Sequence, residues 1–346
     1  HVSCIEFRTG VIDAAGGVRL DDPGPFLVAG SHEAPVYERD LFRGKLAEIG
    51  DLGESAAFVL DSLPPQFGPE QLDLALADLR EQSITHSGVR ETLDRLRSLA
   101  VSNYDTEFPE DSAIAERVLF PMTPAESHGM EDARFVRFVD DAGAVTYYAT
   151  YTAFDGVHVA PQLLETQDFR RFRVTQLTGP AAKNKGLALF PRLVGGRYLA
   201  LSRWDRERNS LVTSPDARSW GEATTIQSPE QPWELLQLGN CGSPLETPDG
   251  WLVLTHGVGP MRVYSIGALL LDLEDPARVL ASLSTPLMSP DDSERDGYVP
   301  NVVYSCGGLL HGDSMVIPYG ISDATIGVAV VSVSGLLDRL HAETLS

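Results

Sequence analysis

A recurrence constrains this chain more than any other feature. Four apolar strands, each opened by a turn signal, follow one another at nearly constant spacing. They are Val145-Thr-Tyr-Tyr-Ala-Thr-Tyr151, Arg197-Tyr-Leu-Ala-Leu-Ser-Arg203, Trp251-Leu-Val-Leu-Thr-His256 and Ser314-Met-Val-Ile-Pro-Tyr319. Asp141-Ala-Gly143, Gly195-Gly196, Pro248-Asp-Gly250 and Gly312-Asp313 supply the turns. The strand starts lie 52, 54 and 63 residues apart. A further strand is expected before each turn, over 133–139, 187–194, 243–246 and 301–305. A third follows each central strand, over 157–164, 210–213, 263–272 and 325–333. Three or four strands recurring at such a period are the pattern of a β-propeller blade. The stretches 3–8 and 11–20 supply strands of another, for a total of about five blades. A β-sandwich lacks a long fixed period.

The expected class is therefore all-β, a five-bladed β-propeller forming one domain over 1–346. Two departures from β pattern stand out. Leu72, Ala75, Leu76 and Leu79, then Val89, Leu93, Leu96 and Ala100, recur at helical spacings. A helical hairpin is expected over 69–100, broken at Ser87-Gly88, packed outside the propeller and serving either self-association into a homo-oligomer or the walling of the cleft. Leu336, Leu337 and Leu340 predict a short C-terminal helix near 335–342.

Charge and cysteine usage narrow the function. Asp and Glu outnumber Lys and Arg by 49 to 27, a net charge of −22. That surface repels nucleic acid and anionic membrane. No run of 18 apolar residues occurs. The three scattered cysteines, Cys4, Cys241 and Cys306, fit buried thiols in a reducing cytoplasm and form no metal or redox spacing. No metal site and no cofactor is expected. Signatures of phosphate-binding loops, dinucleotide folds, zinc proteases and serine hydrolases are absent from the sequence. Lysine occurs only at Lys45, Lys183 and Lys185, so two of three fall in one short loop. An ammonium suits phosphate or sugar oxygens.

A propeller gathers its chemistry where loops from several blades converge. The candidates there are Glu131, Asp132, Arg134, Asp155, Lys185, Arg203, Asn240, His256, Arg262, Tyr319 and Asp323. Carboxylates, amides and aromatics suit a carbohydrate; Arg and Lys beside them suit an anion. Each has a plainer reading as a turn residue, a packed core histidine or a structural ion-pair partner.

Seven ordered motifs then resemble one family. Gly129-Met-Glu-Asp-Ala-Arg134, Tyr147-Tyr-Ala-Thr-Tyr-Thr152, Leu189-Phe-Pro191, Gly250-Trp-Leu-Val-Leu-Thr-His-Gly257, Leu270-Leu-Asp-Leu-Glu-Asp-Pro276, Pro300-Asn-Val-Val303 and Tyr319-Gly320 with Asp323 are similar to glycoside hydrolase family 130, the β-mannoside phosphorylases and β-1,2-mannosidases. The resemblance covers about 100–340. It implies a five-bladed propeller with an axial site and inverting cleavage of a β-mannoside. It also implies Asp132 as proton donor and Asp155 and Asp323 on the sugar, with Arg134 matching the motif arginine; Glu131, Asn240 and Tyr319 join them as sugar contacts by residue type and position. The cations expected opposite Asp132, namely Arg134, Lys185, Arg203, His256 and Arg262, would hold inorganic phosphate as co-substrate. Two positions depart from the family pattern. Ala133 replaces a proline, and Thr255 replaces the tyrosine before His256. The chain opens on His1 and, on this resemblance, starts inside the first blade.

Inversion needs an acid on one side of the sugar and a nucleophile on the other. Cations opposite Asp132 favour phosphorolysis, giving α-mannose 1-phosphate from a β-1,2-linked mannoside. Hydrolysis is the alternative and needs a basic carboxylate, for which Glu246 and Glu294 are spare. A non-catalytic glycan-binding propeller is the third reading.

Overall fold

The computed structural model describes residues 2–14, 16–28, 34–82 and 89–344. β-sheet dominates. In chain order the first large sheet pairs Gly129–Val139, Val145–Phe154, Val159–Thr166, Arg171–Gln176 and Tyr104–Glu107, side by side in that order. The second joins Ala188–Leu189, Tyr198–Ser202, Asn209–Ser214 and Thr224–Gln227. The third joins Gln237–Asn240, Gly250–Val258, Tyr264–Leu271 and Val279–Ser282. The fourth joins Val303–Tyr304, Ser314–Ile321 and Thr325–Ser332. Ile5–Glu6, Arg117–Leu119 and Leu27–Val28 form a smaller N-terminal sheet. Gly10–Ile12 and Val18–Leu20 make a separate two-stranded ribbon, so the N-terminal strands are shorter than expected.

The central strand of each unit falls where the sequence places it. The strand before it agrees in the first sheet, is shorter than expected in the second, and is only half anticipated in the third and fourth. In the third sheet it is split: Leu245–Thr247 pairs with the start of Gly250–Val258, and Gln237–Asn240 pairs with its end. The fourth sheet repeats this, with Leu309–His311 and Val303–Tyr304 on Ser314–Ile321. The polar breaks between the halves meet in space. A Cβ on Gly242 would stand 2.4 Å from the Cys306 carbonyl oxygen, so only glycine allows that approach.

The helical region is larger than a hairpin. Four helices occupy it: α1 (Arg39–Glu48), α2 (Glu54–Ser62), α3 (Pro69–Gln82) and α4 (Val89–Val101). Ser87-Gly88, the expected break, lies outside the described residues. α1 escapes a sequence reading because it buries only Phe42 and Leu46 and carries Gly44 mid-helix. Phe42, Leu46, Val59, Leu60, Leu76, Leu93 and Leu96 pack into a core made by the helices and the Tyr37–Glu38/Gln66–Phe67 ribbon. The apolar stripes of α3 and α4 are thus covered within the unit, which removes the reason for assigning them to self-association. Lys45 and Glu48 tether it to the sheets. Lys45 Nζ donates to the Leu177 carbonyl at 3.4 Å, and Thr178 Oγ1 donates to Glu48 at 3.3 Å.

The last helix, α5 (Val333–Thr344), sets Leu336, Leu337 and Leu340 against the third and fourth sheets. Of the cysteines, Cys241 is buried, while Cys4 and Cys306 are half-buried. Burial pushes the Cys241 thiol up to about 12. No helix among the described residues is long and apolar enough to cross a membrane.

Candidate active site

The first strand of the first sheet carries Glu131, Asp132 and Arg134, and its register explains how they face one place. Thr150 pairs with Arg134, but Thr152 pairs with Glu131. Two residues, Asp132 and Ala133, therefore oppose Tyr151 alone. This is a β-bulge, and Asp132 takes the left-handed conformation with φ 55°. Side chains alternate along a regular strand, so residues 131 and 134 would point to opposite faces. The extra residue shifts the phase and puts both on one face.

Arg134 is 2% exposed. Its Nη2 donates to the Tyr304 hydroxyl at 2.7 Å, and Nη1 to the Asp132 carbonyl at 3.1 Å. The fourth sheet is thereby joined to the first. Lys185, half-buried in the loop before the second sheet, pairs with Glu131 at 2.5 Å. Asn240 holds that loop, donating from Nδ2 to the Gly186 carbonyl at 2.7 Å.

Arg203, 8% exposed, directly follows the central strand of the second sheet. Its Nη1 lies 2.8 Å from His256 Nε2. His256 Nδ1 lies 3.2 Å from the Asn240 carbonyl, which only accepts. The proton therefore resides on Nδ1, and Nε2 accepts from Arg203. Burial, then Arg203 and Arg134, hold the imidazole well below its usual range, so it is neutral. Gly239 makes the pairing possible: a Cβ there would stand 2.5 Å from His256 Cε1 and 2.9 Å from Arg203 Cδ.

Several expected contacts move one layer back. Asn240 and His256 are both 0% exposed. A side chain that touches a ligand shows some surface when the pocket is empty, so these two position Gly186 and Arg203. Arg262 sits on the exposed turn Pro260–Arg262, beyond the end of the third sheet's central strand. Asp155 closes its own turn, accepting from the Val157 and His158 amides at 2.8 and 2.6 Å. The His158 and Val157 amides lower its carboxyl to about 2. Asp323 is exposed on a hairpin loop with φ 55°. The neighbouring Ser322 anchors that loop, donating to the Glu294 carbonyl at 2.5 Å. Tyr319 donates to Glu294 Oε1 at 2.8 Å.

The spare carboxylates separate. Glu246 pairs with Arg192 at 2.7 Å and stands opposite Trp251. That is five residues, roughly 17 Å, along the strand from His256. It is removed as a candidate base, whereas Glu294 stays beside Tyr319. Tyr304, the partner of Arg134, was not singled out in the sequence, although it directly follows the Pro300-Asn-Val-Val303 motif. Among the described residues, no group of three His, Cys, Asp or Glu is arranged to hold a metal ion.

The arrangement is two buried guanidiniums and an ammonium around a bulged aspartate. Residues 100–342 match the family model described as beta-1,4-mannooligosaccharide phosphorylase, that of glycoside hydrolase family 130. The chain belongs to glycoside hydrolase family 130. Among family members, a 1,2-beta-oligomannan phosphorylase of Thermoanaerobacter sp. is 34% identical over 62% of this chain and 72% of its own. A beta-1,2-mannobiose phosphorylase of Listeria innocua is 32% identical over 65% of this chain and 64% of its own. The solved structure of a Listeria innocua beta-1,2-mannobiose phosphorylase with beta-1,2-mannobiose superposes with a TM-score of 0.59 at 31% identity, over 65% of this chain and 64% of that one. This chain thus spans about two thirds of the length of these relatives. The family 130 match begins at the end of α4, so α1–α3 lie outside it.

Proposed function

We propose that this chain is an inverting β-mannoside phosphorylase acting on a β-1,2-linked mannoside with inorganic phosphate. In this reading the sheets are blades of a five-bladed propeller, one catalytic domain carrying the helical unit as an insertion. Its working site is the axis where Asp132, Arg134, Lys185 and Arg203 meet, in a cytoplasmic enzyme without metal or cofactor.

One observation carries the reading. Arg134 and Arg203 are buried, yet neither has a carboxylate partner among the described residues. Arg203 is bonded to a neutral imidazole, and Arg134 to a tyrosine hydroxyl and a main-chain carbonyl. An unpaired buried ion costs several kcal/mol, so such a pair is poised for an anion. A phosphorylase must hold a dianion in line for attack.

The step balances as follows. Asp132 gives its proton to the glycosidic oxygen as the C1–O bond breaks. A phosphate oxygen forms the new bond to C1 from the opposite face, giving α-mannose 1-phosphate and the shortened acceptor. Asp132 regains a proton from solvent. Tyr319, Asp323, Asp155 and Glu131 are assigned to the sugar's surroundings. The similarity to two β-1,2-mannoside phosphorylases supports the linkage.

Arg203→Gln tests the assignment. It should raise KM for phosphate at least ~10-fold while KM for the mannoside stays within ~3-fold, since one charged anion contact is lost. Equal rises in both would take Arg203 out of the phosphate site.

A further inference from the structure

Glu126 is a carboxylate that the proposed chemistry does not use. It lies in the turn Pro124–Glu126, just before the bulged strand, and is 0% exposed. No cation pairs with it among the described residues. Instead it accepts from the amides of Met122 and Thr123 at 2.9 and 3.1 Å. Two tyrosine hydroxyls complete the set, Tyr104 at 3.1 Å and Tyr151. A buried carboxylate survives without a cation only when its lone pairs are filled this way.

The third sheet supplies a comparison within the same chain. Glu234, in the turn Pro232–Glu234, is also buried and accepts from the Glu230 and Gln231 amides, each at 3.0 Å. Among the described residues, no tyrosine hydroxyl bonds to it. The strand that follows it pairs in regular register, Gln237 with Val258 through Asn240 with Thr255. The two turns thus share the carboxylate, and the tyrosine bond accompanies the bulge. Tyr151 is the single residue opposite Asp132 and Ala133.

We propose that Glu126, acting through Tyr151, is a positioning residue that fixes the bulge and thereby aims Asp132. The inference rests on Asp132 being the proton donor. Anchoring the Tyr151 hydroxyl pins the strand opposite the extra residue. A one-residue slip there would turn the side chains that follow to the other face.

The test compares two substrates in saturating phosphate. One is β-1,2-mannobiose, whose leaving hydroxyl needs a proton. The other is 2,4-dinitrophenyl β-mannoside, whose leaving group departs without one. Tyr151→Phe should lower the ratio of kcat on mannobiose to kcat on the dinitrophenyl substrate at least ~10-fold, as loss of acid catalysis does. Glu126→Gln, a second variant, should lower it in the same direction. Asp132→Asn should lower it more, by at least ~100-fold. If Tyr151→Phe and Glu126→Gln reduce both substrates equally, or neither, the positioning role is overturned. If Asp132→Asn leaves the ratio unchanged, the proton-donor reading itself fails, a separate result.

Discussion

The imidazole of His256 is kept neutral by burial and by two nearby guanidiniums, Arg203 and Arg134. Its folded pKa lies below the ordinary 6.5, so the unfolded chain binds the extra proton first. The stabilising effect is complete above about pH 6.5 and declines as pH falls below it. His256→Gln removes the titration. The Tm advantage of the wild type over this variant should therefore shrink between pH 7 and pH 5 in paired thermal melts. A constant or widening gap would mean that the ring is protonated in the folded protein. Residue type discloses that a histidine can carry charge; burial decides whether it does. The sequence placed His256 and Asn240 among the ligand contacts because both sit at strand ends. Nothing local in Thr255-His256 says that Gly239 leaves room for Arg203 to pack on the ring. Asp132 stands out through its motif, but its left-handed conformation goes with the bulge opposite Tyr151, a relation between two strands.

The central strands of the four repeated units were legible because apolar runs after a turn signal are strong local signals. Their split partners were legible by half. Leu245–Thr247 and Val303–Tyr304 fall on the expected 243–246 and 301–305, whereas Gln237–Asn240 and Leu309–His311 are short and each is held by one neighbouring strand. Among the helices, α3 and α4 announced themselves by periodicity, whereas α1 has too few apolar positions. The four share one core, and this has an energetic consequence. Leu96 is fully buried among them. Leu96→Ala should cost ~2–5 kcal/mol, the usual range for a deleted core leucine. Calorimetry should show that loss as an earlier transition of the helical unit, with the sheets melting nearly as before. A single transition lowered as a whole would show that helices and sheets unfold together through the Lys45 and Glu48 tether.

At the scale of the molecule, a net charge of −22 surrounds two buried arginines without carboxylate partners. The acidic exterior repels a phosphate dianion, and the interior guanidiniums attract one. In the proposed phosphorylase, specificity for phosphate over water would then depend on the buried cations rather than on long-range attraction. The most direct test is phosphorus NMR with mass-resolved products, following β-1,2-mannobiose with the enzyme in phosphate buffer and in phosphate-free buffer. The account predicts α-mannose 1-phosphate and one mannose per turnover with phosphate, and no turnover without it. Free mannose as the only product, released equally fast without phosphate, would contradict it and turn attention to Glu294 as a hydrolytic base.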